Sequence, residues 1–242
     1  MVNINKLLSP FVGFSETVDY EIAIYKRHIE KIEAVLAQEI KELEEAFEKS
    51  LQNVSSEDEA QYRMEEFCSG EEYWLVKDEL PRIQRQSNLI GVFAFLENSL
   101  NNLCNRHYRS LQLKDEYEGR KTERKELKDM KGKGLEKAVA YLKDVLGIKF
   151  PSESYAWREI TSIQKVRNAF THSEGSINNY DAGEKIHIEN YVVRSDYLLF
   201  KIDQIIILNG FVTYCLDQFK VFFHELMKLI EETEEKNQES CG

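Results

Sequence analysis

The chain has 242 residues, of which 42% are hydrophobic, so it is long enough to bury a substantial core. Its net charge of -11 comes from residues 1–80, which hold 8 Lys and Arg against 19 Asp and Glu, whereas the other residues hold 24 of each. No window approaches the roughly 18 apolar residues of a membrane-spanning helix, and the amino-terminal residues lack a basic start followed by a long apolar run. These features exclude a membrane-spanning class, and we expect a cytoplasmic protein.

Only 3 prolines and 11 glycines interrupt the chain, and apolar residues recur at helical spacing, so we expect a mainly all-α fold. The first predicted element is a long amphipathic helix, whose apolar residues recur from Val18 to Leu51 in steps of three and four. Ser56, followed three residues later by Glu59, has the pattern of a capping box and predicts a second helix. Residues 1–80 are therefore predicted to form an acidic helical hairpin that packs on the core, with partner binding as its further role.

Residues 81–242 are predicted to form one helical domain around a core helix, which has Pro81 in its first turn and runs to about Tyr108. Polar residues interrupt the middle of this helix, among them Glu97 and Asn101. Because a polar group near a core must find a partner, these residues face either solvent or a site.

The segment that follows is basic, since residues 120–137 hold 8 Lys and Arg against 4 Asp and Glu. Two interpretations stay open: a patch that binds RNA, and a solvated helix face and loop. The RNA-binding candidates in this segment are Arg120, Lys121, Arg124, Lys125 and Lys128.

Two further helices are predicted after the basic segment. Residues 135–147 have the first helical pattern, and Gly147 is its candidate left-handed cap. The second helix begins after Pro151, with Ser152 as the candidate N-cap, and ends at Gly175.

The last third of the chain also predicts a small β-hairpin. The stretches "KIHIENYVV" and "DYLLFKIDQIIIL" carry β-branched and aromatic residues in short runs around a polar break. A final helix from about Asn209 to Glu235 follows the hairpin.

The stretch "QKVRNAFTHSEG" places an arginine, an asparagine and a histidine near the end of the helix that precedes Gly175. Asn168 and His172 are four residues apart and share a helix face, beside the apolar stripe that includes Val166 and Phe170. Arg167 precedes Asn168, and its long side chain reaches toward the same end of the helix. The three polar groups are therefore expected at the edge of the core.

These residue types match the needs of RNA cleavage. A base must take the proton of the 2′-hydroxyl, an acid must protonate the leaving 5′-oxygen, and a cation must stabilise the charge on the phosphate. Histidine titrates near neutral pH and suits the two proton transfers, whereas arginine is always charged and suits the third role. The alternative is a surface or capping histidine beside a salt-bridged arginine.

The residues "RNAFTH" resemble the RN-x-x-x-H signature of the HEPN superfamily, helical domains that include metal-independent ribonucleases of prokaryotic toxin, phage-defence and CRISPR systems. The resemblance implies a HEPN-like helical bundle with Arg167, Asn168 and His172 as site residues. It implies a homodimer in which two motifs face each other across one composite site, and an RNA substrate. It also implies a polar residue from an earlier core helix, for which Glu97 or Asn101 is the candidate, and an antitoxin or another defence protein as a partner.

The sequence supplies no pattern for a metal or cofactor site. The four cysteines, Cys68, Cys104, Cys215 and Cys241, are widely spaced, and neither H-E-x-x-H nor G-x-x-x-x-G-K occurs. A toxin or abortive-infection endoribonuclease without metal or cofactor is therefore the favoured interpretation. The alternative is a catalytically inactive module of the same fold that binds a protein or senses a nucleotide.

Overall fold

The computed structural model describes residues 9–52 and 54–239, and this part of the chain is mainly α-helical. The helices and strands are, in chain order, α1 (Phe14–Leu51), α2 (Glu57–Ser69), α3 (Glu71–Trp74), a π turn (Leu75–Glu79), α4 (Leu80–Tyr117), a 3-10 turn (Leu127–Asp129), α5 (Leu135–Asp144), α6 (Tyr155–Ser173), α7 (Ala182–Val193), β1 (Leu198–Lys201), β2 (Gln204–Ile207) and α8 (Phe211–Glu239). The strands form an antiparallel hairpin just before the last helix. The mainly all-α prediction and the prediction of this hairpin are both confirmed.

The chain forms two compact units, and neither is continuous in sequence. The first unit consists of the described residues of Met1–Ala23, Gly91–Gln164 and Tyr214–Gly242. The second unit consists of the described residues of Ile24–Ile90 and Lys165–Thr213. The predicted boundary between residues 80 and 81 stays a prediction.

The first unit has an aromatic core centred on α8. Phe222 contacts the rings of Phe150 and Trp157, with ring centroids 5.9 and 5.1 Å away, and the neighbouring Phe223 contacts Phe14 at 5.8 Å. Each large apolar side chain that is fully buried contributes about 1.5–3 kcal/mol to the free energy of folding. These aromatic contacts therefore join α1, α6 and α8 within this unit.

The second unit is held by apolar packing and by one arginine. Arg85 on α4 donates to both carboxylate oxygens of Glu33 on α1, at 2.8 and 2.7 Å, and to the backbone oxygen of Ile207 at 3.4 Å. Both side chains of this pair are mostly buried, with 20% and 13% of their surfaces exposed. Breaking a buried pair leaves an uncompensated charge, so Arg85 ties α1, α4 and β2 together.

Pro81 lies in the first turn of α4, as predicted, but no break precedes this helix. The helical chain is continuous from Glu71, and a π turn over Leu75–Glu79 leads directly into α4. Proline has no N–H to donate and its ring crowds the carbonyl four residues earlier. The wider π turn, in which the Leu80 N–H bonds to the oxygen of Leu75, accommodates this defect without ending the helix.

The assignment of "KIHIENYVV" to a β-strand was wrong, because these residues form most of α7. The Asp181 side chain caps the helix by accepting from the Glu184 N–H at 2.9 Å. Ile188, Tyr191 and Val192 are buried at the spacing of one helix face. Both strands of the hairpin come from "DYLLFKIDQIIIL" alone, with the turn residues between them in positive φ.

The helix caps were predicted with one error. Ser56 caps α2 by accepting from the Glu59 N–H at 3.5 Å, and Gly147 has a positive φ of 77° after α5. For α6 the cap is Ser154, whose hydroxyl accepts from the Trp157 N–H at 3.2 Å, and not Ser152. The reason is that α6 begins at Tyr155, so Ser154 is the residue that directly precedes it.

Candidate functional site

The last two turns of α6 carry the arginine, asparagine and histidine. Arg167 and Asn168 are half-buried, and His172 is exposed. Val166 and Phe170 are buried beside them, so the polar side chains flank the apolar stripe, as the helical spacing predicts. Within the part of the chain that the structure describes, no side-chain hydrogen bond engages Asn168 or His172.

The end of α6 is fixed by a tight connection to the β-hairpin. The chain leaves the helix through Glu174 and Gly175, which have positive φ values of 51° and 89°. The Gly175 N–H donates to the oxygen of Ala169 at 3.0 Å, and the Gly175 oxygen accepts from the Ile205 N–H at 3.0 Å. His172 therefore lies on a turn of helix whose end is anchored to β2.

Gly175 is required at this position. A Cβ atom there would lie 2.7 Å from the Phe170 ring and 3.1 Å from the oxygen of Ile205. Residues other than glycine also adopt a φ of 89° only at a cost. The glycine that the sequence marked as the end of the helix thus allows the hairpin to approach the motif turn.

Cations lie near the motif in the second unit. Lys165 on α6 is 3.9 Å from the carboxylate of Glu184 on α7, a long and half-exposed ion pair. Partial burial of the ring lowers the pKa of His187, and the charges of Lys165 and Arg194 lower the pKa further. The charges of Lys165 and Arg194 therefore act on the ring of His187 on α7.

Glu97 and Asn101, the candidate supporting residues, belong to the first unit, whereas the motif belongs to the second. Both side chains are half-buried on α4. The Glu97 Oε1 atom lies against Gly134 at the start of α5, 2.8 Å from where a Cβ of that glycine would be. Glu97 thus lies beside the amino end of α5.

The basic segment is partly neutralised by nearby carboxylates. Arg124 donates to both oxygens of Asp115, at 2.6 and 2.9 Å, and Arg120 pairs with Asp115 and Glu118. Lys128 lies 2.9 Å from Glu126. Among the described residues, no ion pair engages the exposed side chains of the other two candidates, Lys121 and Lys125. Three of the five candidate cations therefore contribute less to a basic surface than the sequence implies.

A cavity of about 690 Å³ lies in the first unit, beside His107 and Arg124. Burial and the nearby charge of Arg124 lower the pKa of His107 to about 4, and its Nδ1 atom is 3.1 Å from the Tyr141 hydroxyl. Burial raises the pKa of Glu234, which accepts a hydrogen bond from Ser9 at 3.1 Å. A neutral imidazole is thus present in this cavity at neutral pH.

The sequence reasoning did not identify a buried acid on α6. Only 5% of the surface of Glu159 is exposed, and its carboxylate accepts from the Tyr214 hydroxyl at 2.8 Å. The Tyr155 hydroxyl lies 3.3 Å from that of Tyr214. The sequence signal for this buried acid was its spacing: Glu159 is four residues before Ile163 and so lies on the apolar face of α6.

No family model, curated protein or solved structure matches the chain. Within residues 9–52 and 54–239, no helix has both the length and the apolar composition needed to cross a membrane. Across the same residues, no three His, Cys, Asp or Glu side chains cluster in a way that could hold a metal ion.

Proposed function

We propose that the chain is a metal-independent endoribonuclease of the HEPN type, with Arg167, Asn168 and His172 as its catalytic residues. The observation that carries this proposal is the placement of these three side chains on consecutive turns at the end of α6, with His172 exposed. Lys165 and Arg194 add two cations to the same unit, and cations attract a phosphate. Arg85 and Gly175 hold the surrounding elements in place.

In the proposed reaction, the 2′-hydroxyl of the RNA loses its proton to a histidine as its oxygen attacks the adjacent phosphorus. The bond from phosphorus to the 5′-oxygen breaks, and an imidazolium returns a proton to that oxygen. Arg167 stabilises the charge that develops on the phosphate, and Asn168 orients the phosphate by hydrogen bonding. The products are a 2′,3′-cyclic phosphate and a 5′-hydroxyl.

The reaction needs a base and an acid on opposite sides of the phosphorus, but one motif has a single histidine. A two-fold axis that places two copies of α6 at one phosphate supplies both groups. The active form is therefore a homodimer. Such an activity in the cytoplasm is that of a toxin or abortive-infection effector, restrained by an antitoxin or another defence protein.

The test is to incubate the purified chain with end-labelled RNA in the presence of a chelator. We expect cleavage with the two product ends named above, and no cleavage where the cut position carries a 2′-deoxyribose. Arg167→Ala and His172→Ala should each abolish cleavage without changing helical content, since these residues lie at the edge of the core. Asn168→Ala should have a milder effect.

The matched control is His28→Ala, which removes another exposed histidine, on α1, and should leave cleavage at the wild-type rate. Full activity of the His172→Ala variant would refute the catalytic assignment. Cleavage of DNA, or activity that requires added magnesium, would indicate a different mechanism. Absence of any cleavage by the wild-type chain would instead favour the inactive interaction or nucleotide-sensing module.

A further inference from the structure

The acidic arm, defined here as residues 41–79, carries most of the net charge of the chain. It comprises the end of α1, the helices α2 and α3, and the π turn, and holds 4 Lys and Arg against 13 Asp and Glu. Large apolar side chains are nevertheless exposed on it, including Tyr62 at 66% and Trp74 at 50%. Acidic residues on a surface help to keep a protein soluble, but exposed aromatic side chains do not, so they need another explanation.

A groove of about 620 Å³ within this arm is lined by residues from the end of α1 and from α2. The stacked rings of Phe47 and Phe67 line it, with centroids 4.2 Å apart, and Tyr62 lies beside them. Glu59 and Glu66 add two carboxylates to the same lining, and Arg63 adds one guanidinium. Aromatic faces and carboxylates in one groove are the chemistry that binds an organic cation.

The arm already binds one of its own cations in this way. The Lys77 ammonium lies 4.6 Å from the centre of the Tyr73 ring and donates to its hydroxyl, which in turn donates to Glu44 at 3.2 Å. These contacts raise the pKa of Lys77, first through the hydrogen bond to Tyr73. The Tyr73 ring also contacts Phe67, so the groove is adjacent to this arrangement.

The two carboxylates of the groove are not equivalent. Glu59 is paired with Arg63 on the same helix at 2.7 Å. In the region that the structure describes, the Glu66 carboxylate takes part in no ion pair. An incoming cation therefore meets an unneutralised charge at Glu66, next to the aromatic rings.

We propose that this groove binds a lysine or arginine side chain from a basic amphipathic helix of a partner protein. The negative field of the arm attracts such a helix and repels nucleic acid. The apolar face of the partner helix packs on Tyr62 and on the exposed edges of Phe47 and Phe67. This binding is separate from the proposed ribonuclease activity, since no groove residue belongs to the motif.

The test is a fluorescence anisotropy titration of the full chain with a labelled amphipathic helical peptide of leucine and lysine. We expect saturable binding, which Tyr62→Ala weakens about tenfold by removing one aromatic face. The double variant Glu59→Gln/Glu66→Gln should weaken it by a similar factor. The same peptide with glutamate in place of lysine should not bind.

The matched control is Glu30→Gln/Glu39→Gln, which removes the same charge from exposed positions of α1 outside the groove. It should change the affinity less than about twofold, because exposed charges act weakly at a distance. An equal loss in the two double variants would show general electrostatic attraction and would overturn the groove proposal. Equal binding of a scrambled peptide that has no apolar face would also overturn it.

Tyr62→Ala removes a side chain that is mostly exposed, so its circular dichroism spectrum should match that of the wild type. RNA cleavage by all groove variants should also remain at the wild-type rate. Peptide binding tests the groove proposal and RNA cleavage tests the ribonuclease proposal, so the failure of one can be told from the failure of the other.

Discussion

His107 shows how burial changes the chemistry of a single side chain. Its ring stacks on Phe11, with centroids 5.9 Å apart, and contacts the Tyr141 hydroxyl in the first unit. In the sequence, this histidine follows Arg106 directly and lies near Tyr108, where the core helix was predicted to end. Its environment depends on Tyr141 and Arg124, which lie far along the chain, so local pattern reading could not predict it.

This burial predicts a pH dependence of stability. The unfolded imidazole takes up a proton below about pH 6.5, but the folded one does so only below about pH 4. Protons therefore favour the unfolded chain between these values, and the free energy of unfolding should fall by up to about 3 kcal/mol as the pH drops through this window. Urea unfolding at a series of pH values measures the effect.

The control for this prediction is His107→Gln, which keeps a polar side chain but cannot titrate. Carboxylates also titrate in this window, so the informative quantity is the difference in slope between the two proteins. The variant should show the shallower dependence of unfolding free energy on pH. Equal slopes would mean that His107 is protonated as easily in the folded chain as in the unfolded one.

At the level of elements, periodicity predicted most helices, and the error at α7 has a physical cause. The residues of α7 are β-branched and aromatic, which favours a strand locally, but the cap at Asp181 and the burial of Ile188 and Tyr191 on one face make them helical. Tertiary packing therefore decided against local propensity. Asp181 with Glu184 three residues later was the sequence signal that pointed to the helix.

For the candidate functional residues, the sequence predicted the positions that one helix determines but not the ion pairs between separate segments. The spacing of Asn168 and His172 placed them at the edge of the core, because one helix determines that geometry. Asp115 and Arg124 pair only because the chain reverses after α4, where Gly119 has a φ of 65°. The sequence pattern does not reveal such a reversal, so the basic segment looked more strongly charged than it is.

The connection from α6 to the hairpin gives a prediction at this scale. Gly175→Ala should lower the free energy of unfolding by about 2–4 kcal/mol, because it combines a strained φ with a clash against Phe170 and Ile205. If the ribonuclease proposal holds, it should also reduce RNA cleavage by displacing the turn that bears His172. Chemical denaturation and the RNA assay measure the two effects.

The matched control is Gly147→Ala, which also follows a helix with positive φ but whose Cβ meets no atom within 4 Å. This substitution should lower the free energy of unfolding by only about 1 kcal/mol, because only the backbone conformation is strained. Equal losses of unfolding free energy at the two positions would mean that the hairpin moves to make room for the added methyl group.

At the scale of the whole molecule, composition predicted the fold class but not the division into units. The charge contrast near residue 80 predicts a boundary there, which stays a prediction. The two compact units are each assembled from separate segments of the chain. Composition varies along the linear sequence, so it cannot show which distant segments pack into the same unit. The pair of Glu33 with Arg85 also joins residues on the two sides of the predicted boundary.

The proposed homodimer gives a prediction at the same scale. Adding an excess of the His172→Ala variant to a fixed amount of wild-type chain should lower RNA cleavage, because mixed dimers contain one histidine at a site that needs two. Saturating RNA keeps substrate capture by the variant from producing the same effect. Specific activity should likewise fall on dilution, as light scattering shows monomers replacing dimers.

Activity that is unaffected by the excess variant, from a chain that light scattering shows to be monomeric, would refute the composite site. A side chain of the same copy would then have to transfer the second proton.

The interleaving of the two units has a consequence for protein synthesis. The second unit lacks its last segment until Thr213 has left the ribosome, and the first unit also requires α8, which follows it. Neither unit is therefore complete while most of the chain is being translated, and folding of one cannot be finished before synthesis of the other has begun. A nascent chain that stops before α8 therefore carries the whole RN-x-x-x-H motif while both units still lack their last residues.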